Sequence, residues 1–160
     1  MFKGDNRLLL DMQQIRFDDL EEKIRDEIKT AEESADWAFP RGRDVKIGAV
    51  LVAENGKRYT GANIARERFN NSTCAERMAV DKALNDGVAK IERIVVIGVN
   101  DSKPFEEVVA PCGACRQIIF DALKELGQED TELILVNSNK SKIVRANLSE
   151  LLPFAYESSR

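Results

Sequence analysis

Leu20, Ile24, Ile28, Ala31 and Ala35 recur at spacings of three and four within a charged stretch, which predicts an amphipathic helix. It runs from Asp18 or Asp19 to about Ala38 and ends before Pro40. The pattern then changes. Val45 to Ala53 is almost continuously apolar, and Glu54-Asn55-Gly56-Lys57 separates it from Arg58-Tyr59-Thr60-Gly61. Asn-Gly between two such runs predicts an antiparallel hairpin. Met78, Ala79, Ala83 and Leu84 place a second helix over Ala75 to Asn85, stopped by Gly87, with Ser72-Thr73 as capping residues ahead of it. Ile94 to Val99 is apolar and mostly β-branched, as expected of a central strand buried on both faces.

After a polar loop over residues 101–110, Ile118, Ile119, Ala122, Leu123 and Leu126 predict a third helix, from near Cys112 to Gly127. Leu133 to Val136, the turn Asn137-Ser138-Asn139-Lys140, and Ile143-Val144 supply the last strands. Leu148 to Leu152 then gives a short helical turn before Pro153. Strands alternating with helices predict an α/β fold: a three-layer α/β/α sandwich on a mixed sheet of about five strands. Residues 1–17 form an N-terminal extension, whose Leu8, Leu9, Leu10, Met12 and Ile15 suggest an extra helix or an oligomer contact. Residues 18–160 form a single domain, consistent with 160 residues and 43% hydrophobic content.

A net charge of -4, with Lys and Arg interspersed among Asp and Glu, provides no field to gather polynucleotide phosphates. The Leu8-Leu9-Leu10 run is too short for a secretory signal, and no span of about 18 apolar residues occurs. A cytoplasmic protein is expected, without membrane or polynucleotide partners.

The chain has three cysteines and no histidine. An odd count disfavours a disulfide framework, and the three fall in two short words. These are Thr73-Cys74-Ala75-Glu76-Arg77 and Pro111-Cys112-Gly113-Ala114-Cys115-Arg116-Gln117. Each word opens a predicted helix, where exposed amides and the positive dipole end stabilise thiolates. Cys74, Cys112 and Cys115 would hold a metal ion, for which three thiolates favour Zn2+. Structural zinc sites normally close with four protein ligands, so three cysteines with Glu76 beside them point to a catalytic centre open to water. Arg77 and Arg116 flank the ligands and would offset the anionic thiolates. A carboxylate ligand at Glu76 would instead make the site structural, in a noncatalytic zinc-stabilised binding module.

Together with Gly61-Ala62-Asn63-Ile64 and Leu151-Leu152-Pro153, these words resemble the zinc-dependent cytidine deaminases, in particular the small type with a three-cysteine site. The resemblance spans roughly Val45 to Tyr156. It implies a zinc hydrolase of pyrimidine salvage that attacks C4 of cytidine or deoxycytidine, yielding uridine or deoxyuridine and ammonia. Glu76 would carry the protons. It also implies a homotetramer in which an aromatic after Leu-Leu-Pro, here Tyr156, lends its ring to a neighbouring site. Asn63, Ala75 and Val45 fall at substrate-pocket positions.

Two departures concern that pocket. The family word Asn-Ile-Glu-Asn reads Asn63-Ile64-Ala65-Arg66, so Ala65 replaces a sugar-binding Glu, and Glu67 would reach the same face if the strand continues. Val45 stands where a pocket Phe is usual. Blasticidin S deaminase, which shares the cysteine words and also lacks that Glu, keeps an alternative aminated pyrimidine in view. Arg66 and Arg68 would suit an anionic or extended substrate, although exposed arginines at a strand end are the simpler account of them.

Overall fold

In the computed structural model, which describes residues 12–42 and 44–158, six strands form one mixed sheet with helices on both faces. The strands are β1 (Gln13–Ile15), β2 (Lys46–Ala53), β3 (Arg58–Ala62), β4 (Ile91–Val99), β5 (Glu132–Val136) and β6 (Ile143–Asn147). The α-helices are α1 (Glu22–Ala35), α2 (Ala75–Asn85), α3 (Gly113–Glu125) and the single turn α4 (Leu148–Leu151). Strand order is β1-β6-β5-β4-β2-β3. Among the six named strands of the described residues only β4 and β5 pair in parallel, with α3 providing the crossover that a parallel pair requires.

The alternation along β2 shows how one sheet supplies two cores. Ala49, Leu51 and Ala53 pack with Ala75, Ala79, Ile119 and Leu123 beneath α2 and α3. Val50 and Val52 pack with Leu20, Ile24, Ile28 and Ala31 beneath α1. Ile94 to Ile97 of β4 are buried and contribute to both clusters, as the apolar run predicted. Each large aliphatic side chain sealed in these layers contributes about 1.5–3 kcal/mol of transfer free energy. The three-layer α/β/α sandwich is therefore the observed architecture.

The sheet has one strand more than the expected five or so, and that strand comes from the N-terminal extension. Gln13–Ile15 pairs antiparallel with β6, and Met12 is buried in the core beneath α2 and α3. Ile15 thus belongs to an edge strand, with Met12 directly before that strand, and neither belongs to an extra helix. Three residues carry too little periodicity to reveal this. Leu8, Leu9 and Leu10 lie outside the described residues. The first long helix also begins later than its stripe suggested: Phe17–Asp19 is a separate 3-10 turn, and α1 starts at Glu22. Leu20 remains buried between them and caps the same apolar stripe.

Candidate active site

Helices α2 and α3 begin at the same end of the sheet, beside the last residues of β3 and β4. Cys74 is the N-cap of α2, and Cys112 is the N-cap of α3. Neither cap carries a side-chain hydrogen bond, so Ser72 and Thr73 do not cap α2 as expected. They serve the preceding ribbon instead: Ser72 Oγ accepts from the Arg66 N–H at 3.0 Å, and Thr73 Oγ1 accepts from Arg66 Nη1 at 3.2 Å.

Helix α2 comes unusually close to the sheet. A Cβ placed on Gly61 would lie 2.0 Å from the Ala75 carbonyl oxygen and 2.9 Å from the Ala79 nitrogen. Only glycine allows the first turn of α2 to settle there. On the opposite face, Gly48 does the same for α1, where a Cβ would lie 1.8 Å from the Ala31 oxygen. Gly61 stood in the sequence words without a role. A glycine inside a strand is itself the signal of close backbone approach.

The three cysteine sulfurs lie within 4.8 Å of one another. Cys115 is buried, Cys74 half-buried and Cys112 exposed, so the cluster opens to solvent on one side. Tetrahedral Zn–S bonds of about 2.3 Å hold sulfurs about 3.8 Å apart, which these positions meet with little movement. No histidine or fourth cysteine exists to close the shell. The donor set fits zinc with one position left for water.

The electrostatics of the thiols follows from their contact. The Cys74 thiol is pulled down to about 7, chiefly because the Cys115 S–H donates to its sulfur. Cys115 is pushed up by that same bond and then by burial. The pair thus shares a proton that a metal ion would displace. Arg77 also favours the Cys74 thiolate, and the charge of Glu76 opposes ionisation at Cys74 and Cys115.

Glu76, on the first turn of α2, is only 5% exposed. Burial raises its carboxyl above the ordinary value of 4.5. A buried carboxyl beside a metal cluster, held closer to neutral pH than usual, suits transfer of protons in both directions.

The two arginines make different contacts. Arg77 is exposed and reaches Asp81 at 3.6 Å, one turn along α2. Arg116 donates to the carbonyl oxygens of Pro111, at 2.8 Å, and Leu151, at 2.9 Å. Its charge lies at the foot of the second cysteine loop, and its hydrogen bonds fasten that loop to α4.

The pocket positions divide into two groups. Ala75 is wholly buried under the first turn of α2. Asn63 Oδ1 accepts from the Ile47 N–H at 2.7 Å, and Asn63 Nδ2 donates to the Val45 carbonyl at 3.0 Å. Val45 and Asn63 are thereby joined at the mouth of β2. Glu67 does not follow them, because β3 ends at Ala62 and the chain turns after Ala65. Its carboxylate pairs with Arg41 at 2.6 Å on the surface, so the strand continuation expected for it does not occur. Tyr156 lies on the C-terminal segment with its ring 73% exposed. Gln117 bonds its backbone in both directions at 2.9 Å, a contact that residue identity alone does not signal.

Comparison with known proteins agrees with this geometry. Residues 21–125, which include both cysteine words, match the family described as the cytidine and deoxycytidylate deaminase zinc-binding region. The chain is 35% identical to a cytidine deaminase of Sporosarcina psychrophila, over 84% of this chain and 90% of that one. It is 26% identical to a blasticidin-S deaminase of Bacillus cereus, over 69% of this chain and 76% of that one. The crystal structure of a cytidine deaminase from Burkholderia pseudomallei superposes with a TM-score of 0.70 at 30% identity, covering 82% of this chain and 97% of that one. With the fold, the three thiols and the buried glutamate accounted for together, the chain belongs to the zinc-dependent cytidine and deoxycytidylate deaminase family.

Proposed function

We propose that this chain hydrolytically deaminates cytidine and deoxycytidine to uridine and deoxyuridine, releasing ammonia, as a step of pyrimidine salvage. The observation that carries this reading is the buried carboxyl of Glu76, raised above its ordinary value beside three converging thiols. Cys74, Cys112 and Cys115 hold the metal. When bound, zinc supplies the Lewis acidity that makes water nucleophilic near neutral pH. Glu76 accepts a proton from the attacking water, delivers one to ring N3, and then serves the departing amine. Burial suits it to both directions, since a carboxyl of ordinary acidity is a poor proton donor at neutral pH. The N-terminal amides of α2 and α3, with Arg77, offset the negative thiolates. Arg116 contributes its charge from the foot of the loop while fixing the carbonyls of Pro111 and Leu151.

Asn63, Val45 and Ala75 line the substrate side, and Tyr156 reaches the site of a neighbouring copy in a homotetramer. The exposed rings of Phe154 and Tyr156 support that arrangement, because large aromatic surface is otherwise kept from water. The enzyme acts on free nucleosides in the cytoplasm. The acidic balance of -4 gives little attraction for polynucleotides, and no helix among the described residues is long and apolar enough to cross a membrane.

A second reading keeps the chemistry and changes the substrate to another aminated pyrimidine, such as blasticidin S. Ala65 favours it, since its methyl group cannot accept from a sugar hydroxyl. So does the placement of Glu67 on Arg41, away from the position Ala65 leaves empty of charge.

The test is ammonia release and the ultraviolet change on cytidine, deoxycytidine, cytosine, CMP and blasticidin S, with zinc-loaded protein and its Glu76→Gln variant. Turnover of the two nucleosides, lost by well over ~100-fold in the variant with one zinc per chain retained, is the expected result. Turnover of blasticidin S alone selects the second reading. Near-normal activity of Glu76→Gln refutes the role given to Glu76.

A further inference from the structure

The C-terminal segment after α4 is fastened to the chain in an unusual way. Residues 153–158 form no strand or helix, and among the described residues their backbone hydrogen bonds are confined to Tyr156. Both go to one side chain. The Tyr156 N–H donates to Gln117 Oε1, and Gln117 Nε2 donates to the Tyr156 carbonyl, each at 2.9 Å. A single amide thus exchanges two bonds with one residue, as a neighbouring strand does at a hydrogen-bonded pair. The Asp121 carboxylate, one turn further along α3, accepts from the same Nε2 at 2.9 Å and holds the amide in that orientation.

Packing does little to set the register of this segment. A cavity of about 210 Å³ lies between it, α4 and the loop after α3, lined by Phe120, Glu129, Asp130, Leu148, Leu152 and Pro153 among others. Phe154 is 94% exposed, so neither of the segment's large rings is anchored in the chain's own core. Besides the amide clamp, the ion pair of Lys124 with Glu157, at 3.4 Å and open to solvent, is a weak restraint. Gln117 also stands two residues beyond Cys115, on the helix that carries two of the three thiols.

We infer that Gln117 is a positioning residue, which sets the C-terminal segment on the metal-bearing helix and thereby fixes where the Tyr156 ring is presented. The inference rests on the reading that Tyr156 serves a neighbouring copy's site. The hydrogen bonds of the Gln117 side chain go to Asp121 and Tyr156, and to none of the three cysteines. Its effect belongs to substrate binding and leaves the chemical step and the zinc unaltered.

The experiment compares zinc-loaded wild type, Gln117→Ala, a chain ending at Pro153, and the two changes combined. It reads zinc content, the KM and kcat for the substrate the panel identifies, and hydrogen exchange at the Tyr156 amide. In Gln117→Ala, exchange at that amide is expected to rise roughly tenfold, the scale of losing one to two hydrogen bonds. KM is expected to rise by a similar factor, with kcat within about twofold and one zinc per chain. The truncation should raise KM at least as far, and adding Gln117→Ala to it should change nothing more, because the clamp then has nothing to hold. Gln117→Glu, which still accepts from the Tyr156 N–H, should fall between wild type and Gln117→Ala in exchange. Unchanged exchange in Gln117→Ala overturns the clamp. Faster exchange with unaltered KM, or a further KM rise in the combined variant, overturns its part in substrate binding. If wild type converts no member of the panel, the proposed function fails, while the exchange measurement still decides the clamp.

Discussion

Gly61→Ala is a one-carbon change that the structure ties directly to the metal centre. The new Cβ would lie 2.0 Å from the Ala75 carbonyl oxygen, a backbone atom in the first turn of α2. Ordinary contact at about 3.4 Å demands about 1.4 Å of travel, and neither side can yield by rotating a side chain. Gly61 is held by the ladder opposite Ala49, so the helix must lift. Overpacking of this kind costs about 1–3 kcal/mol of stability. The larger effect is local, because Cys74 and Glu76 flank the carbonyl that is pushed. Metal–ligand distances tolerate about 0.2 Å, and a misplacement of about 1 Å costs catalysis about 100-fold.

Zinc affinity, measured by competition with a chromophoric chelator, should therefore fall together with kcat/KM. Gly48→Ala is the control. Its Cβ would lie 1.8 Å from the Ala31 oxygen on the opposite face, so it loads α1 and spares α2. That variant should lose comparable stability while each folded chain keeps its zinc. If Gly61→Ala retains full zinc affinity and kcat/KM within about threefold of wild type, the contact between β3 and α2 does not position the site.

Two further predictions concern charge and metal. Burial raises the Glu27 carboxyl above its ordinary 4.5, with Arg93 opposing it, and the Glu27 Oε2 to Arg93 Nε approach of 3.4 Å forms no hydrogen bond. A carboxyl raised on folding stabilises the protein below its unfolded pKa, and this is lost as pH rises through the folded one. Glu27→Gln should therefore gain in melting temperature relative to wild type as pH rises from about 4.5, and a gap that is flat or reversed with pH refutes the assignment. For the metal, zinc-loaded protein should protect all three thiols from a chromogenic disulfide reagent, and chelation should release three per chain. Exposed Cys112 should react first, and a thiol titrating before chelation would remove its residue from the ligand set.

The parts of this fold legible in the sequence are those specified by short-range chemistry. The stripe from Leu20 to Ala35 and the Asn55-Gly56 turn each encode an element within a few residues. The cysteine cluster was legible for the same reason, since only three cysteines exist and each word opens a helix. The edge strand Gln13–Ile15 was not, because its stability comes from pairing with β6, more than a hundred residues away. Gln117 stood in plain view in the second cysteine word. Its partner is the backbone of Tyr156, and a backbone group leaves no mark in residue identity.

The same distinction explains why the substrate side resists reading from its strand word. Asn63 to Glu67 belongs to a narrow ribbon in which Phe39 bonds to Asn63 and Ala65, while Ile64 exchanges bonds with Thr73 in both directions. Thr73 directly precedes Cys74, so this ribbon is continuous with the metal-bearing turn. The side chains along it are engaged with the chain itself: Asn63 with Val45 and Ile47, Arg66 with Asn71 and Thr73, and Glu67 with Arg41. Residue type at these positions therefore answers first to the turn that presents Cys74. Ala65 serves it through its backbone bond to Phe39, which leaves its side chain free to vary without disturbing Cys74. On the proposed reading, substrate preference enters this ribbon at the Ala65 side chain, while the backbone bonds on either side of it keep the turn before Cys74 in place. If that reading holds, a change of substrate in this chain needs a change at Ala65 and none in Cys74 or Glu76.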